Sequence, residues 1–201
     1  QIGFAGISNY MPFNSEKDYE NYLSRLAAFP TKINQTIDLM KRGIETGWVP
    51  PKIALGSVPV QIKTHFEKPI NESPLFKPFN KFPESMNEET QKQLTEKMET
   101  ILTEKVYPAY ESLFTFFTES YLPVCRESIA CKDFPNGDSY YKFKIKSYTT
   151  TDKTALEIHD IGLNEVARIR AEMMDVKDAA EFDGSFDEFL IFLSTDSQFY
   201  F

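Results

Sequence analysis

The segment "TTTDKTALEIHDIGLNEVARIRAEMMDV", residues 149–176, carries the clearest helical pattern of the chain. When successive residues are rotated by about 100°, polar side chains gather on one side and apolar ones on the other. The polar side holds Glu157, Asp160, Asn164, Arg168, Asp175 and Asp178, and the apolar side holds Ala155, Gly162, Val166, Ile169 and Met173. His159 and Arg170 also lie on the apolar side, where the pattern alone predicts leucine. The segment therefore predicts a long amphipathic helix with two unusual positions.

Capping residues predict two helices in the first quarter of the chain. "NSEKDYENYLSRLAAF", residues 14–29, begins a helix with Asn14 or Ser15 as its cap. Pro30 suits the first turn of the next helix, and Gly47 suits its end. Apolar residues recur every three or four positions in both segments, so each helix is expected to bury one face.

Similar signals predict the longest helix and the last one. Residues 85–88, Ser-Met-Asn-Glu, match a capping box that opens a helix whose apolar stripe continues to Phe117. Pro108 lies inside this stripe and is expected to kink the helix or split it. Ser185 caps a short closing helix, "SFDEFLIFLSTD".

One stretch, "DSYYKFKIKSYTT" at residues 138–150, is ambiguous. Its alternation of aromatic or aliphatic residues with lysines predicts a strand, although the same aromatic residues could also serve a short helix. The fold class expected from the whole sequence is mainly α: a multi-helical array with a long kinked helix and at most one short β-hairpin, at residues 140–151. We interpret residues 1–201 as a single helical domain or lobe.

Composition excludes several partners. The 201 residues carry a net charge of −8, which argues against nucleic acid and anionic membrane surfaces as partners. No apolar run approaches the roughly 20 residues that a membrane-spanning helix needs. We therefore expect a chain that binds no nucleic acid and does not span a membrane.

The two cysteines, Cys125 and Cys131, stand in "CRESIAC". Their spacing matches neither the C-x-x-C redox pattern nor a common zinc knuckle. We favour a local disulfide in an exported protein, and the alternative is two unrelated thiols of a cytosolic one.

Catalytic patterns are missing from the sequence. It has two histidines, His65 and His159, and contains no H-E-x-x-H, G-x-S-x-G, P-loop or G-x-G-x-x-G. These residues support neither a metal site nor a catalytic residue. We therefore do not expect the segment alone to be a complete enzyme.

Two blocks of this chain resemble the bacterial domain-of-unknown-function 885 family. They are the Tyr-Tyr to Thr-Thr-Thr run of residues 140–151 and "EIHDIGLNEVARI" at residues 157–169, and the similarity extends over nearly the whole chain. The family's usual leucine-threonine-proline is here Lys153-Thr154-Ala155, a departure that affects no expected functional residue.

The resemblance implies a larger protein. Members of this family are mostly longer, helix-rich, often exported or lipid-anchored, and their later half carries the H-E-x-x-H of zinc metallopeptidases. By this resemblance the chain is an interior piece: an N-terminal portion precedes Gln1 and the zinc half follows Phe201. Zinc is then expected in the full-length parent and not in this segment. The expected location is the periplasm or cell envelope, with a cytoplasmic location left open.

The resemblance also sharpens the question of His159 and Arg170. A histidine on an apolar face is most often a hydrogen-bonded core residue, but His159 could instead contact substrate or support the zinc ligands of the missing half. Arg170 could pair with an acid of that half or with a substrate carboxylate. The alternative for Arg170 is a buried ion pair with Glu165, Glu172 or Asp160.

Further candidates for substrate binding are Tyr140, Tyr141, Thr149, Thr150 and Thr151. An extended run of this type beside a peptidase cleft could bind substrate backbone by strand addition, and ordinary packing is the alternative.

The function expected is the non-catalytic helical portion, forming part of the substrate cleft, of a predicted zinc-dependent peptidase. Its partners would be the missing catalytic half and a peptide substrate, and the bare helix face could cause self-association. The alternative is a stand-alone cell-envelope binding or interaction module for peptide or glycan.

Overall fold

The computed structural model describes residues 2–200, and helices account for its regular structure. Within that range it contains no β-strand, only an isolated bridge between Pro51 and Arg126. The mainly α fold with a long bent helix is therefore confirmed.

The chain divides into two compact units, a first unit of residues 1–137 and a second unit of residues 138–201. Each unit is described by itself, and the single domain or lobe over residues 1–201 stays a prediction. The helices of the first unit are α1 (Ile2–Ala5), α2 (Glu16–Ala27), α3 (Phe29–Thr46), α4 (Val58–Lys63), α5 (Glu88–Ile101) and α6 (Tyr107–Phe116). The second unit contains α7 (Gly137–Thr149), α8 (Ala155–Ala179) and α9 (Phe186–Thr195).

Short turns of other helical types complete the chain. The 3-10 turns are Ile7–Tyr10, Lys52–Leu55, Ile70–Glu72, Lys77–Asn80, Leu122–Val124, Cys131–Asp133 and Ser197–Phe199. The π-helical segments are Leu102–Val106 and Phe117–Tyr121.

The predicted boundaries of α2 and α3 are confirmed. The backbone N–H of Ser15 donates to the Asp18 carboxylate at 3.0 Å, in a capping box at the start of α2. The hydrogen bond from the Ser15 side chain is the largest cause that lowers the pKa of Asp18. Gly47, with φ of 74°, ends α3 in the left-handed conformation that glycine adopts without strain.

The predicted capping box at residues 85–88 is wrong. The cap of α5 is Asn87, whose side-chain oxygen accepts a hydrogen bond from the Thr90 backbone N–H at 2.8 Å. Ser85 lies in a turn closed by a hydrogen bond from the Met86 N–H to the Pro83 carbonyl. Because this turn separates Ser85 from the helix, Ser85 cannot reach the first helical N–H groups.

The long helix bends through two wide turns, each followed by a proline. The Tyr107 N–H donates to the Leu102 carbonyl, five residues back, directly before Pro108. The Leu122 N–H donates to the Phe117 carbonyl in the same way, directly before Pro123. A proline ring clashes with the carbonyl four residues earlier in a regular α-helix, and the wider turn relieves this clash. The predicted kink near Pro108 is therefore confirmed and has this cause.

The core of the first unit is rich in aromatic side chains, and two of its buried tyrosine hydroxyls donate to backbone carbonyls. The Tyr22 hydroxyl donates to the Leu75 carbonyl at 2.9 Å, and Tyr19 donates to the Pro78 carbonyl at 3.2 Å. Phe79 packs edge-on against Tyr19 with ring centroids 5.3 Å apart. These contacts attach the irregular segment of residues 69–86 to α2.

The strand interpretation of residues 138–150 is wrong, because residues 137–149 form α7. The lysine alternation also satisfies helical spacing: the Lys144 ammonium lies 5.4 Å from the centre of the Tyr140 ring and 5.6 Å from that of Tyr148. Residues four apart are neighbours on a helix, so these cation–π contacts support the helix and not a strand.

The long amphipathic helix and the closing helix are confirmed. Thr154 and Glu157 form a capping box at the start of α8, and their hydrogen bonds lower the pKa of Glu157. Ser185 and Glu188 do the same at the start of α9. None of the residues of α8 is buried.

Candidate functional site

A groove of about 520 Å³ lies between α7 and the start of α8. Because α7 and α8 are joined by a five-residue turn at residues 150–154, side chains from both helices and from the turn face one another there. The groove is lined by Asp138, Tyr141, Lys142, Ile145, Lys146, Thr151, Asp152, Lys153, Thr154, Ala155 and Leu156. It combines an apolar floor with charged walls, which suits binding of an amphipathic ligand.

The charge of the groove is slightly positive, with three lysines against two aspartates among its lining residues. Lys146 Nζ donates to Asp152 Oδ1 at 2.7 Å, which ties the end of α7 to the turn. Both of these side chains are exposed, so their ion pair adds at most about 1 kcal/mol to stability. Lys142 and Lys153 form no ion pair with residues 2–200 and are the groups that could meet a ligand anion.

Thr149, at the end of α7, and Thr150 and Thr151, at the start of the turn, hold the backbone where the helix ends. Thr150 has φ of 56°, a left-handed conformation that a β-branched residue rarely adopts. Its N–H closes α7 by donating to the Lys146 carbonyl at 2.9 Å. The hydroxyls of Thr149 and Thr151 lie 3.0 Å apart. Thr151 alone of the three lines the groove, so the others act locally.

The expected extended run at residues 140–151 is not present. Backbone N–H groups of α7 bond within the helix, which leaves no free edge for strand addition over residues 137–149. Tyr141 lines the groove, whereas the Tyr140 ring lies beside Lys144. The structure therefore brings Tyr141 and Thr151 together and leaves Tyr140, Thr149 and Thr150 at the margin.

His159 is an exposed residue of α8 whose imidazole forms no hydrogen bond with residues 2–200. It lies three residues beyond Leu156, which lines the groove. His159 is exposed within residues 2–200, and its interpretation as a hydrogen-bonded core residue of the longer protein stays a prediction. Its role in substrate binding stays a prediction.

Arg170 is also exposed, and its guanidinium lies 5.7 Å from the centre of the Phe186 ring. The alternative considered for Arg170, a buried ion pair with Glu165, Glu172 or Asp160, is not present in residues 2–200, where Arg168 pairs with Glu165 and Glu172. Arg168 donates to Glu165 and to Glu172, each at 2.7 Å. No carboxylate of residues 2–200 lies within ion-pair distance of Arg170.

Cys125 and Cys131 carry free thiols in the structure. Cys125 is buried, its Sγ donates to the Tyr121 carbonyl at 3.3 Å, and burial raises the pKa of its thiol. Cys131 is partly exposed and begins a 3-10 turn. Their pairing in an exported protein stays a prediction that thiol titration under denaturant checks.

Sequence reasoning missed the charged walls of the groove. Asp138, Lys142 and Lys146 recur at four-residue spacing, which places them on one side of α7 together with Tyr141 and Ile145. This signal was present in the sequence, but it becomes visible only when the segment is read as a helix. Across residues 2–200, no group of three or more His, Cys, Asp or Glu side chains could hold a metal ion.

A family model described as "Bacterial protein of unknown function (DUF885)" matches residues 1–201. The chain belongs to this family. The resemblance found in the Tyr-Tyr to Thr-Thr-Thr run and in residues 157–169 is thereby confirmed. No curated protein matches the chain.

One solved structure similar to this DUF885 chain is a presumed lipoprotein from Colwellia psychrerythraea. The two are 25% identical and superpose with a TM-score of 0.75. The match covers 94% of this chain and 33% of that chain, so the chain spans about a third of its length. No helix within residues 2–200 is long and apolar enough to cross a membrane.

Proposed function

We propose that this chain is the non-catalytic helical portion of a larger zinc-dependent peptidase or related hydrolase. In this proposal the groove between α7 and α8 forms part of the substrate cleft. Tyr141 and Thr151 line the groove, and His159 stands exposed close to its end on α8. The single observation that carries the proposal is this meeting of predicted substrate-binding residues around one open groove.

The zinc of the proposed enzyme has to be held outside this chain. Residues 2–200 contain no group of His, Cys, Asp and Glu side chains that fits a metal ion, so no chemical step is assigned to them. The contribution of the helical portion is then to bind and orient substrate. Lys142 and Lys153 could meet a carboxylate of a peptide, and the apolar floor could meet its side chains.

The proposed location is the cell envelope. The presumed lipoprotein that this chain resembles supports this location.

The test uses the longer protein that contains this chain, with a defined mixture of peptides whose cleavage is followed by mass spectrometry. His159→Ala and Tyr141→Ala should each lower kcat/KM by about tenfold or more, because each removes a contact to the substrate. Zinc content should stay near one per chain, because neither residue ligates the metal.

Matched controls separate this result from a general loss of structure. Asn164→Ala changes an exposed residue on the polar side of α8, and Ser147→Ala changes an exposed residue of α7 outside the groove. Both should leave kcat/KM unchanged. The proposal fails if His159→Ala and Tyr141→Ala behave like these controls.

A stand-alone envelope module that binds peptide or glycan is the second candidate. The aromatic side chains of α7 favour it, since Tyr141, Phe143 and Tyr148 are all exposed. Binding of peptide or glycan by the chain, with no peptide cleaved by the longer protein, would support this module over the hydrolase.

A further inference from the structure

Helix α8 exposes a continuous apolar side to solvent. Val166 is 67% exposed near its middle, although apolar side chains normally avoid water. The large exposed apolar side chains of α8 are Leu156, Ile161, Leu163, Val166, Ile169, Met173, Met174 and Val176. A contiguous surface of this extent marks a site of interaction.

Helix α9 widens this surface. A groove of about 300 Å³ between α8 and α9 is lined mainly by apolar side chains, among them Ile169, Met173, Phe189 and Leu193. We call the apolar side of α8 together with this groove the α8 face. The groove gives the α8 face a concave edge into which side chains of a partner helix can insert.

Both borders of the α8 face are acidic. At about 100° per residue, Glu165 and Glu172 lie along the border toward α9, where Glu172 also lines the groove, and Asp160 and Asp178 lie along the other border, where Asp178 pairs with Lys177 at 3.6 Å. The first two share a single cation, Arg168, so that border keeps a negative excess. Helix α8 as a whole has six acidic residues against three basic ones.

These charges disfavour a second copy of the chain as the partner. Two copies that paired through the α8 face would bring acidic borders together, in a protein whose net charge is already −8. Like charges opposed across an interface lower affinity, whereas opposite charges raise it and fix the register. The complementary partner is apolar along its centre and basic along its edges.

Arg170, a cation inside the α8 face, places a second requirement on the partner. Arg170 lies on the apolar side with no carboxylate of residues 2–200 in ion-pair distance, and its guanidinium lies 5.7 Å from the centre of the Phe186 ring. When a partner covers this surface, an unpaired guanidinium would lose its water, which is costly unless a carboxylate replaces it. The partner is therefore expected to direct one carboxylate at Arg170.

We propose that the α8 face docks an apolar helix bordered by lysine or arginine and carrying one carboxylate that pairs with Arg170. The source of this helix rests on the proposed function: it belongs to the remaining portion of the longer protein. The match to a solved chain three times this length, of which this chain covers 33%, supports that source. The inferred chemistry of the partner helix depends only on the residues of the α8 face.

Two designed helical peptides test the chemistry with the 201-residue chain as it exists. They share one leucine face and one glutamate within it, and they differ in having lysine or glutamate along the borders. Fluorescence anisotropy at low salt should show the lysine-bordered peptide binding at least tenfold more tightly. The difference should shrink as added salt screens the borders. Equal affinities, or tighter binding of the glutamate-bordered peptide, would overturn the proposal.

Two variants that add the same charge separate docking from general attraction to an acidic protein. Val166→Asp places a carboxylate inside the α8 face, and Asn164→Asp places one on the polar side. Both positions are exposed, so both variants should keep the fold, which circular dichroism checks. Val166→Asp should lower the affinity for the lysine-bordered peptide at least tenfold, whereas Asn164→Asp should not lower it. Tighter binding by both variants would mean that the attraction is nonspecific, and the proposal would fail.

Arg170→Gln and the oligomeric state complete the test. Arg170→Gln should lower the affinity for the peptide that carries the central glutamate several-fold. It should leave unchanged the affinity for a peptide with glutamine at that position. Sedimentation velocity at low salt should show that the chain is monomeric. A dimer that Val166→Asp abolishes would mean instead that a second copy of the chain occupies the α8 face. These measurements involve no cleavage. They can therefore support docking at the α8 face even if the His159 and Tyr141 variants show that the proposed hydrolase function is wrong.

Discussion

The two units are built from the same kind of helix but differ in what covers it. In the first unit, α2 buries Tyr19, Tyr22, Leu23 and Leu26 against neighbouring helices. In the second unit, α8 also has an apolar side, less sharply separated from its polar side, and none of its residues is buried. The comparison teaches that capping and periodicity define a helix, whereas burial depends on a partner that the helix itself does not specify.

The largest expected contrast comes from one leucine in each unit. Leu26 is fully buried and Leu163 is 58% exposed. Leu26→Ala should lower the free energy of unfolding by about 2–5 kcal/mol, because it leaves a cavity in the core. Leu163→Ala should change it by no more than about 0.5 kcal/mol. Urea unfolding of both variants measures the difference, and equal losses would mean that the α8 face is covered in solution.

Two glycines sharpen the comparison. A Cβ at Gly137 would lie against the carbonyl oxygens of Cys131 and Lys132, whereas a Cβ at Gly162 meets nothing. Gly137→Ala should therefore lower the free energy of unfolding by about 2 kcal/mol or more through displacement of backbone. Gly162→Ala should raise the free energy of unfolding by roughly 0.5–1 kcal/mol, because alanine has a higher helix propensity than glycine at an exposed position within a helix. Thermal unfolding followed by circular dichroism checks both signs.

Alkaline pH should act on the first unit. Burial raises the pKa of Tyr22 and Tyr110 above the ordinary value of 10.0. The unfolded chain therefore loses these phenolic protons first, so their contribution to stability is complete below pH 10 and falls as the pH rises above it. Each group lowers the free energy of unfolding by at most about 1.4 kcal/mol per pH unit in that range. The Tyr22→Phe, Tyr110→Phe double variant should show a shallower decline in unfolding measured at increasing pH.

The same two tyrosines give the smallest contrast when they are changed singly. The Tyr22 hydroxyl donates to the Leu75 carbonyl, whereas the buried Tyr110 hydroxyl has no hydrogen-bond partner in residues 2–200. Tyr22→Phe should lower the free energy of unfolding by about 1–2 kcal/mol, because it leaves a buried carbonyl unsatisfied. Tyr110→Phe should cost nothing. Tyr148→Phe, at an exposed position of the second unit, serves as the neutral control.

Much of the fold could be predicted from the sequence because its signals are local. Ser15, Thr154 and Ser185 each stand three residues before a carboxylate, and each begins a helix in the structure. The same pattern failed at Ser85, where a turn that begins at Pro83 intervenes. The helix α7 was misread because its lysines fit both a two-residue and a four-residue spacing.

The candidate site was predictable only in part. Tyr141 and Thr151 were selected from sequence and do line the groove, but Lys142 and Lys153 were not selected. This groove forms because α7 turns back toward α8, and no single segment contains that geometry. The exposed state of His159 was equally hidden, since the helical pattern places it on the side that normally faces a core.

The two wide turns before Pro108 and Pro123 also affect how relatives of this chain should be aligned. Each turn holds one residue more than a regular α-turn, so it amounts to a single-residue insertion absorbed within a continuous helix. A relative that has no proline at such a position has no clash to relieve and can omit the extra residue. Sequence alignments within the family should therefore place one-residue gaps inside this helix, at residues 102–106 and 117–121, where gaps are normally assigned to loops.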